Sequence, residues 1–299
     1  MENRVSSHPS PSRCYILLSL CAWVILLMVK RIVEGSTQLL PLPYSIFWMA
    51  TGVLFSLPIF ITLTDTQVSL NAIIPSSIKG SVMALIATLF GISLCGLLFY
   101  LDFLQLNQKS PIYFAAAPFF AWVLTRVSSK ESRSRLQLFS LLIISIGVGI
   151  SVCSSDTLSL TYLSSLLLTL FLHFTLLTKK RGGSPQTILF FLSTLGVALS
   201  GIFLLVSSPV KSEITFASIY SCATGGLALG LSLLIFLEAF IRAGEKERVI
   251  LIFPAVLISL SPMMRSIQGL APFLIAAIIL LPAFQLIKGL NQKTVSIPR

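Results

Sequence analysis

The sequence predicts an all-α integral membrane protein in which ten transmembrane helices form two inverted five-helix repeats. Three observations carry this expectation. Of 299 residues, 55% are hydrophobic and only 10% charged, with a mean hydropathy of +0.95, whereas soluble domains carry about 25% charge. Apolar runs follow one another from Cys14 to Ile287 with short gaps, which leaves no room for a separate soluble domain. An acid and a proline also recur in register: Asp102 and Pro118 stand 16 residues apart, as do Glu238 and Pro254, and the second pair lies 136 residues after the first.

Runs of about 17 to 25 mainly apolar residues are long enough as helices to cross about 30 Å of hydrocarbon. They fall at 14–32, 42–62, 81–101, 111–127, 136–153, 158–177, 186–206, 217–238, 249–265 and 270–287. Open sheets are excluded because their edge amides would go unsatisfied in lipid, and the runs lack the alternation of an outer-membrane barrel strand. The first run follows Arg4 and Arg13 as a signal peptide would, but no A-x-A-like site comes after it and it ends in Lys30 and Arg31. It is expected to be an uncleaved first span.

Division at residue 155 gives repeats 1–155 and 156–299 within one embedded unit. Five is odd, so the halves must cross the bilayer in opposite senses, the architecture through which many carriers alternate access. Identities between 98–118 and 234–254 are Leu98/Leu234, Leu101/Leu237 and Pro118/Pro254, so the acid and proline register carries most of the weight.

The formal charge of +11 comes from basic residues in short loops. With the N-terminus inside, sixteen of the 21 Lys and Arg residues fall on the inner side. This predicts an inner-membrane, multi-pass chain with both termini cytoplasmic, and makes nucleic acid an unneeded partner. The five cysteines (Cys14, Cys21, Cys95, Cys153 and Cys222) lie in or beside apolar runs without metal-ligand spacing. They are expected to be buried free thiols, and no metal or cofactor is expected.

Candidate site residues follow from polarity at membrane depth. Asp102 and Glu238 are ionisable groups at opposite membrane faces, expected as gate positions. The plainer alternative is a solvated interfacial acid paired with Lys109 or Arg242. Pro118 and Pro254 each remove a helical hydrogen bond, giving a hinge or a static kink. Trp23, Trp48, Tyr100, Tyr113, Phe119, Phe120 and Trp122 offer rings that stack on a heterocycle or hold a cation, or else form lipid-facing belts. Lys30 either neutralises a substrate carboxylate or snorkels to the headgroups. His173 is a proton relay or a neutral bundle histidine, and Gly226-x-x-x-Gly230 is expected to pack helices closely.

These residues together resemble the drug/metabolite transporter superfamily, in particular its EamA-like ten-helix carriers. Trp23, Lys30 and the following LPLPYSIFWMATG segment look like that family's first helix pair. Pro118, Glu131 and Gly147 in SLLIISIGVGI look like its later proline, glutamate and glycine pattern. The chain departs from the pattern in having Val24 after Trp23, Trp48 and Met49 where an arginine is common, and no glutamate near Ile267 to match Glu131.

The resemblance implies a secondary carrier of small metabolites in a bacterial inner membrane. A fainter resemblance, to bacterial S-adenosylmethionine transporters, agrees with a site of acids, a lysine and aromatic rings facing a zwitterion with a sulfonium and an adenine. S-adenosylhomocysteine is the expected exchange substrate, and amino acids or other metabolites are the alternative. Expected partners are a small-molecule substrate and the lipid bilayer, with the chain a monomer or homodimer. No Walker A sequence occurs, so the carrier is expected to draw on an ion gradient or exchange. A lipid-modifying membrane enzyme is the competing class, disfavoured because no H-E-x-x-H, G-x-S-x-G or clustered His/Asp set occurs. A scaffold or scramblase would show no saturable uptake.

Overall fold

A computed structural model describes residues 14–26, 42–64, 73, 77–103, 120, 158–206, 215–244, 248 and 251. Six helices account for nearly all of them: α1 (Cys14–Leu26), α2 (Leu42–Thr64), α3 (Ile78–Phe103), α4 (Leu158–Lys180), α5 (Pro185–Val206) and α6 (Phe216–Arg242). No strand occurs among the described residues. The expected spans 111–127, 136–153, 249–265 and 270–287 lie outside them, apart from Phe120 and Leu251, as do Lys30, Tyr113, Pro118, Phe119, Trp122, Pro254 and the repeat boundary at 155.

Local chemistry fixes the helix ends. Ser77 caps α3, its hydroxyl accepting the Gly80 N–H at 3.0 Å, which satisfies one of the amides that a helix start leaves without a partner. Thr215 does the same for α6 through Ser218 N–H. Ser184 precedes Pro185, whose fixed φ and missing N–H suit a first helical position, and its hydroxyl accepts the Thr187 N–H at 3.2 Å. Where α4 ends, Gly182 adopts φ 83°. That left-handed turn lets Gly182 and Gly183 N–H return to the carbonyls of Lys179 and Thr178, a close that favours glycine.

Among the described residues, four helical stretches are long and apolar enough to cross a membrane: Pro43–Thr64, Ile78–Leu97, Pro185–Val206 and Phe216–Arg242. Their outward faces carry Phe55, Ile59 and Leu63, then Val82, Leu85 and Leu89, then Leu199, Ile202 and Phe203, all exposed. Such a continuous apolar exterior fits a membrane protein and would be a liability in water. Buried hydroxyls find partners within their own helices, as where Thr88, Thr169 and Thr175 donate to the carbonyls of Ala84, Ser165 and Phe171. This is the satisfaction a dry surrounding demands.

Helix α2 lies between α5 and α6, and α3 packs on α4 and α5. The α2–α6 seam is made by glycines. A Cβ at Gly226 would overlap the Met49 carbonyl, one at Gly52 the Ala223 carbonyl, and one at Gly230 the Ser56 hydroxyl. The spacing expected to pack helices closely does so, with Gly52 as its unforeseen counterpart on α2. Helix α6 is the most enclosed of the four, with 61% of its span buried against 22% in α5. Its residues Leu234, Ile235, Phe236 and Leu237, buried all round the helix, join Leu18, Ala22 and Trp23 of α1 in the core.

Two bonds set the ends of the bundle in register. Ser77 at the start of α3 donates to the Arg181 carbonyl just after α4, and Gln186 at the start of α5 donates to Glu238 near the end of α6. One end therefore gathers Lys79, Lys179, Lys180, Arg181 and Arg242, together with Arg248, which bonds the Phe240 and Ile241 carbonyls. These are all the lysines and arginines among the described residues. Asp102, in the last turn of α3, lies at the other end, about 35 Å away at the helical rise of about 1.5 Å per residue.

Candidate functional site at the basic end

Helix α6 does not stop at Glu238, where the apolar run ends, but continues for one more turn to Arg242. The acid is therefore inside the helix rather than at its terminus. That extra turn places Arg242 four residues after Glu238, the spacing at which helical side chains meet. Arg242 Nε donates to Glu238 Oε2 at 3.0 Å, with side-chain exposures of 26% and 12%. The cation also stands in the last turn, where the helix dipole favours positive charge.

From α5, Gln186 Nε2 donates to the other carboxylate oxygen, Glu238 Oε1, at 3.2 Å. Gln186 is 2% exposed and Glu238 9%, so this bond lies inside the protein. A buried carboxylate is costly unless its lone pairs are used. Here one oxygen faces a cation on its own helix and the other an amide on the neighbouring one. The two partners differ in kind: Arg242 moves with Glu238, whereas Gln186 belongs to a different helix.

Beyond this cluster, Arg248 folds back over the end of α6. Its Nε donates to the Phe240 carbonyl at 3.0 Å and its Nη2 to the Ile241 carbonyl at 3.2 Å. The guanidinium also lies 5.9 Å from the Phe240 ring centre, within the range of a cation–π contact. Carbonyls left open by the helix end are thus satisfied by a side chain.

The other expected site residues lie apart. Trp23 is buried, its ring edge-on to Phe236 at 5.1 Å and its indole N–H donating to the Leu251 carbonyl at 3.2 Å. Ser19 donates to the same carbonyl at 2.8 Å. Phe236 and Glu238, two residues apart, project about 200° from one another on a helix, so Trp23 and Gln186 address opposite faces of α6. Trp48 is half-buried and edge-on to Phe47 at 5.6 Å. His173 is half-buried on α4, edge-on at 5.8 Å to Phe174, which stacks on Phe90 of α3. Tyr100 and Asp102 belong to the end of α3 and their side chains are outside the described set.

Of the expected residues, the structure thus joins Glu238 to Arg242, the partner named for it in the plainer interfacial alternative, but buries the acid and adds Gln186. The amide was detectable as a polar residue just inside the apolar edge of its span, but it carries no charge to draw attention. No group of three His, Cys, Asp or Glu side chains suited to a metal occurs among the described residues. The described cysteines, Cys14, Cys21, Cys95 and Cys222, are free thiols, the first and last buried.

Fold and site define a helical protein with several apolar, membrane-length helices and a buried acid, amide and guanidinium cluster at one end. No protein-family model matches the sequence. No curated protein matches it either.

Proposed function

We propose that the chain is a secondary carrier that moves a small polar metabolite across a bacterial inner membrane by alternating access. The observation that carries the reading is the buried Glu238, tied by Gln186 to a second membrane-length helix. Ionisable groups buried within a membrane bundle are costly and tend to serve function. An acid linked across two helices by one neutral bond is a natural gate element, because the link breaks without separating charges. Arg242 remains with the acid throughout.

Gathering of the described basic residues at one end supports the cytoplasmic placement of that end. In the proposed ten-helix inverted repeat, Asp102 at the opposite end is the symmetry-related gate. The carrier belongs with the EamA-like drug/metabolite transporters, and S-adenosylmethionine, exchanged for S-adenosylhomocysteine, is its best substrate candidate. The carboxylate and guanidinium pair suits the ammonium and carboxylate of an amino acid head group.

The test is uptake of labelled S-adenosylmethionine by proteoliposomes holding the purified chain, with S-adenosylhomocysteine and amino acids as competitors. Saturable uptake inhibited by S-adenosylhomocysteine is expected. Inhibition by amino acids alone would move the substrate to that class, and absence of saturable uptake of either would end the carrier reading. Glu238→Gln should slow turnover while leaving the protein folded.

A further inference from the structure

We propose that the turn joining α4 to α5, together with the start of α3, binds the headgroup of an anionic phospholipid. Lys179 and Lys180 end α4, Arg181 opens the turn and Lys79 is the second residue of α3; all four are exposed. The turn is held in place rather than trailing. Gly183 N–H returns to the Thr178 carbonyl at 3.0 Å, and Ser77 Oγ donates to the Arg181 carbonyl at 3.0 Å. Lys79 is therefore fixed two residues from a direct bond to the turn that carries the other three cations.

Nothing described at this end neutralises them. Glu238 is the only acid whose side chain is described, and both its oxygens are engaged by Arg242 and Gln186. Four clustered cations at the rim of an apolar helix bundle create a positive field that attracts negatively charged headgroups.

A second feature points to a lipid rather than to a soluble anion. Ile78, Val82, Leu85 and Leu89 are all exposed on α3, Ile78 at 85%. Their spacing of four, three and four residues puts them on one helix face. This ladder starts beside Lys79 and descends about 16 Å along the span. A phosphate on the cations with an acyl chain along the ladder uses both features. A soluble phosphate uses only the first, and a zwitterionic phospholipid brings its own ammonium toward four like charges. The site depends on the membrane-length helices and not on which metabolite is carried.

The test is native mass spectrometry of the full chain in detergent with equal phosphatidylglycerol and phosphatidylcholine. Preferential retention of one phosphatidylglycerol is expected, weakening as salt rises. Lys79→Gln and Arg181→Gln should each lower the preference about fivefold, and Lys179→Gln with Lys180→Gln more, given the typical contribution of one cation at a membrane surface. Lys→Arg at the same positions should preserve it, and Val82→Asn with Leu85→Asn should reduce retention of phosphatidylglycerol but not binding of glycerol phosphate. Equal retention of the two lipids, unchanged preference in the Gln variants, or full displacement by glycerol phosphate would each overturn the proposal. Size-exclusion profiles establish that each variant is folded, and either single variant decides the matter should the double one aggregate.

Discussion

Helix α6 meets its two neighbours in opposite ways. Against α2 it presents Gly226 and Gly230 so closely that backbone touches backbone. Against α5 its contact is much less extensive, and it includes the Gln186 to Glu238 hydrogen bond. At its glycines the first seam admits nothing larger than hydrogen, which ties the two helices closely together. The second is joined by a single neutral donor at the basic end. In lipid, where burial of apolar surface does not drive helices together, small-residue packing and interhelical hydrogen bonds are the available forces. This protein assigns one of them to each side of the same helix: α6 is close-packed on α2, while α5, whose larger contact is with α2, meets α6 lightly and through that bond.

Filling the glycine seam should weaken the protein most. Gly226→Leu places a side chain where the Met49 carbonyl already stands, and is expected to destabilise by about 3 kcal/mol or more, as overpacking of a tight interior does. Thermal unfolding in detergent, followed by loss of the monodisperse size-exclusion peak, measures it. A variant that melts like the wild type would mean that α2 and α6 are not close-packed.

At the other seam, Glu238→Ala removes the acceptor for both Arg242 and Gln186. The cost is expected to be about 2 kcal/mol, lower than for a fully buried pair because the guanidinium keeps 26% of its exposure. Denaturant titration of the purified protein provides the comparison. Gln186→Leu is gentler, since it removes a neutral donor and leaves the ion pair intact. About 1 kcal/mol of stability is expected to be lost with it, the usual net worth of one hydrogen bond. In the proposed carrier its transport signature should exceed its stability signature, because a gate that opens too readily changes turnover or leak. Wild-type kinetics together with wild-type stability would leave α5 without a gating bond.

Helix positions were legible in the sequence because apolar runs in this chain are punctuated by serine, threonine, proline, glycine and lysine. The expected 42–62 became Leu42–Thr64, and 186–206 became Pro185–Val206. The largest shift, the extra turn from Glu238 to Arg242, has a physical reason. An acid looks like the end of an apolar run, yet one with a cation four residues later can be carried inside the helix. Gln186 escaped notice for the complementary reason: an amide among apolar residues has no charge, and its importance exists only in the register between two helices. Gly52 is similar, because a lone glycine in a span gains meaning from the backbone it faces. The acid and proline echo pointed to Glu238, which is buried and doubly hydrogen-bonded, while its prolines, Pro118 and Pro254, fall outside the described residues.

A milder change probes the seam between α5 and α2, the larger of the α5 contacts with α2 and α6. Gly196 on α5 faces α2, and a Cβ there would stand 3.0 Å from the Ala50 Cβ, with no backbone in the way. Gly196→Ala gains helix propensity of up to about 1 kcal/mol in a helix interior. It loses a part of that in pushing one methyl group against another. The balance should lie within about 0.5 kcal/mol of zero, whereas the same Gly→Ala change at Gly226 meets an immovable carbonyl and should be plainly destabilising. Measured side by side by thermal unfolding, the pair separates a glycine required by contact from one that is merely tolerated. Equal destabilisation at both positions would make the α2–α5 seam as close-packed as the α2–α6 one, and would argue against α5 as the moving element of the proposed carrier.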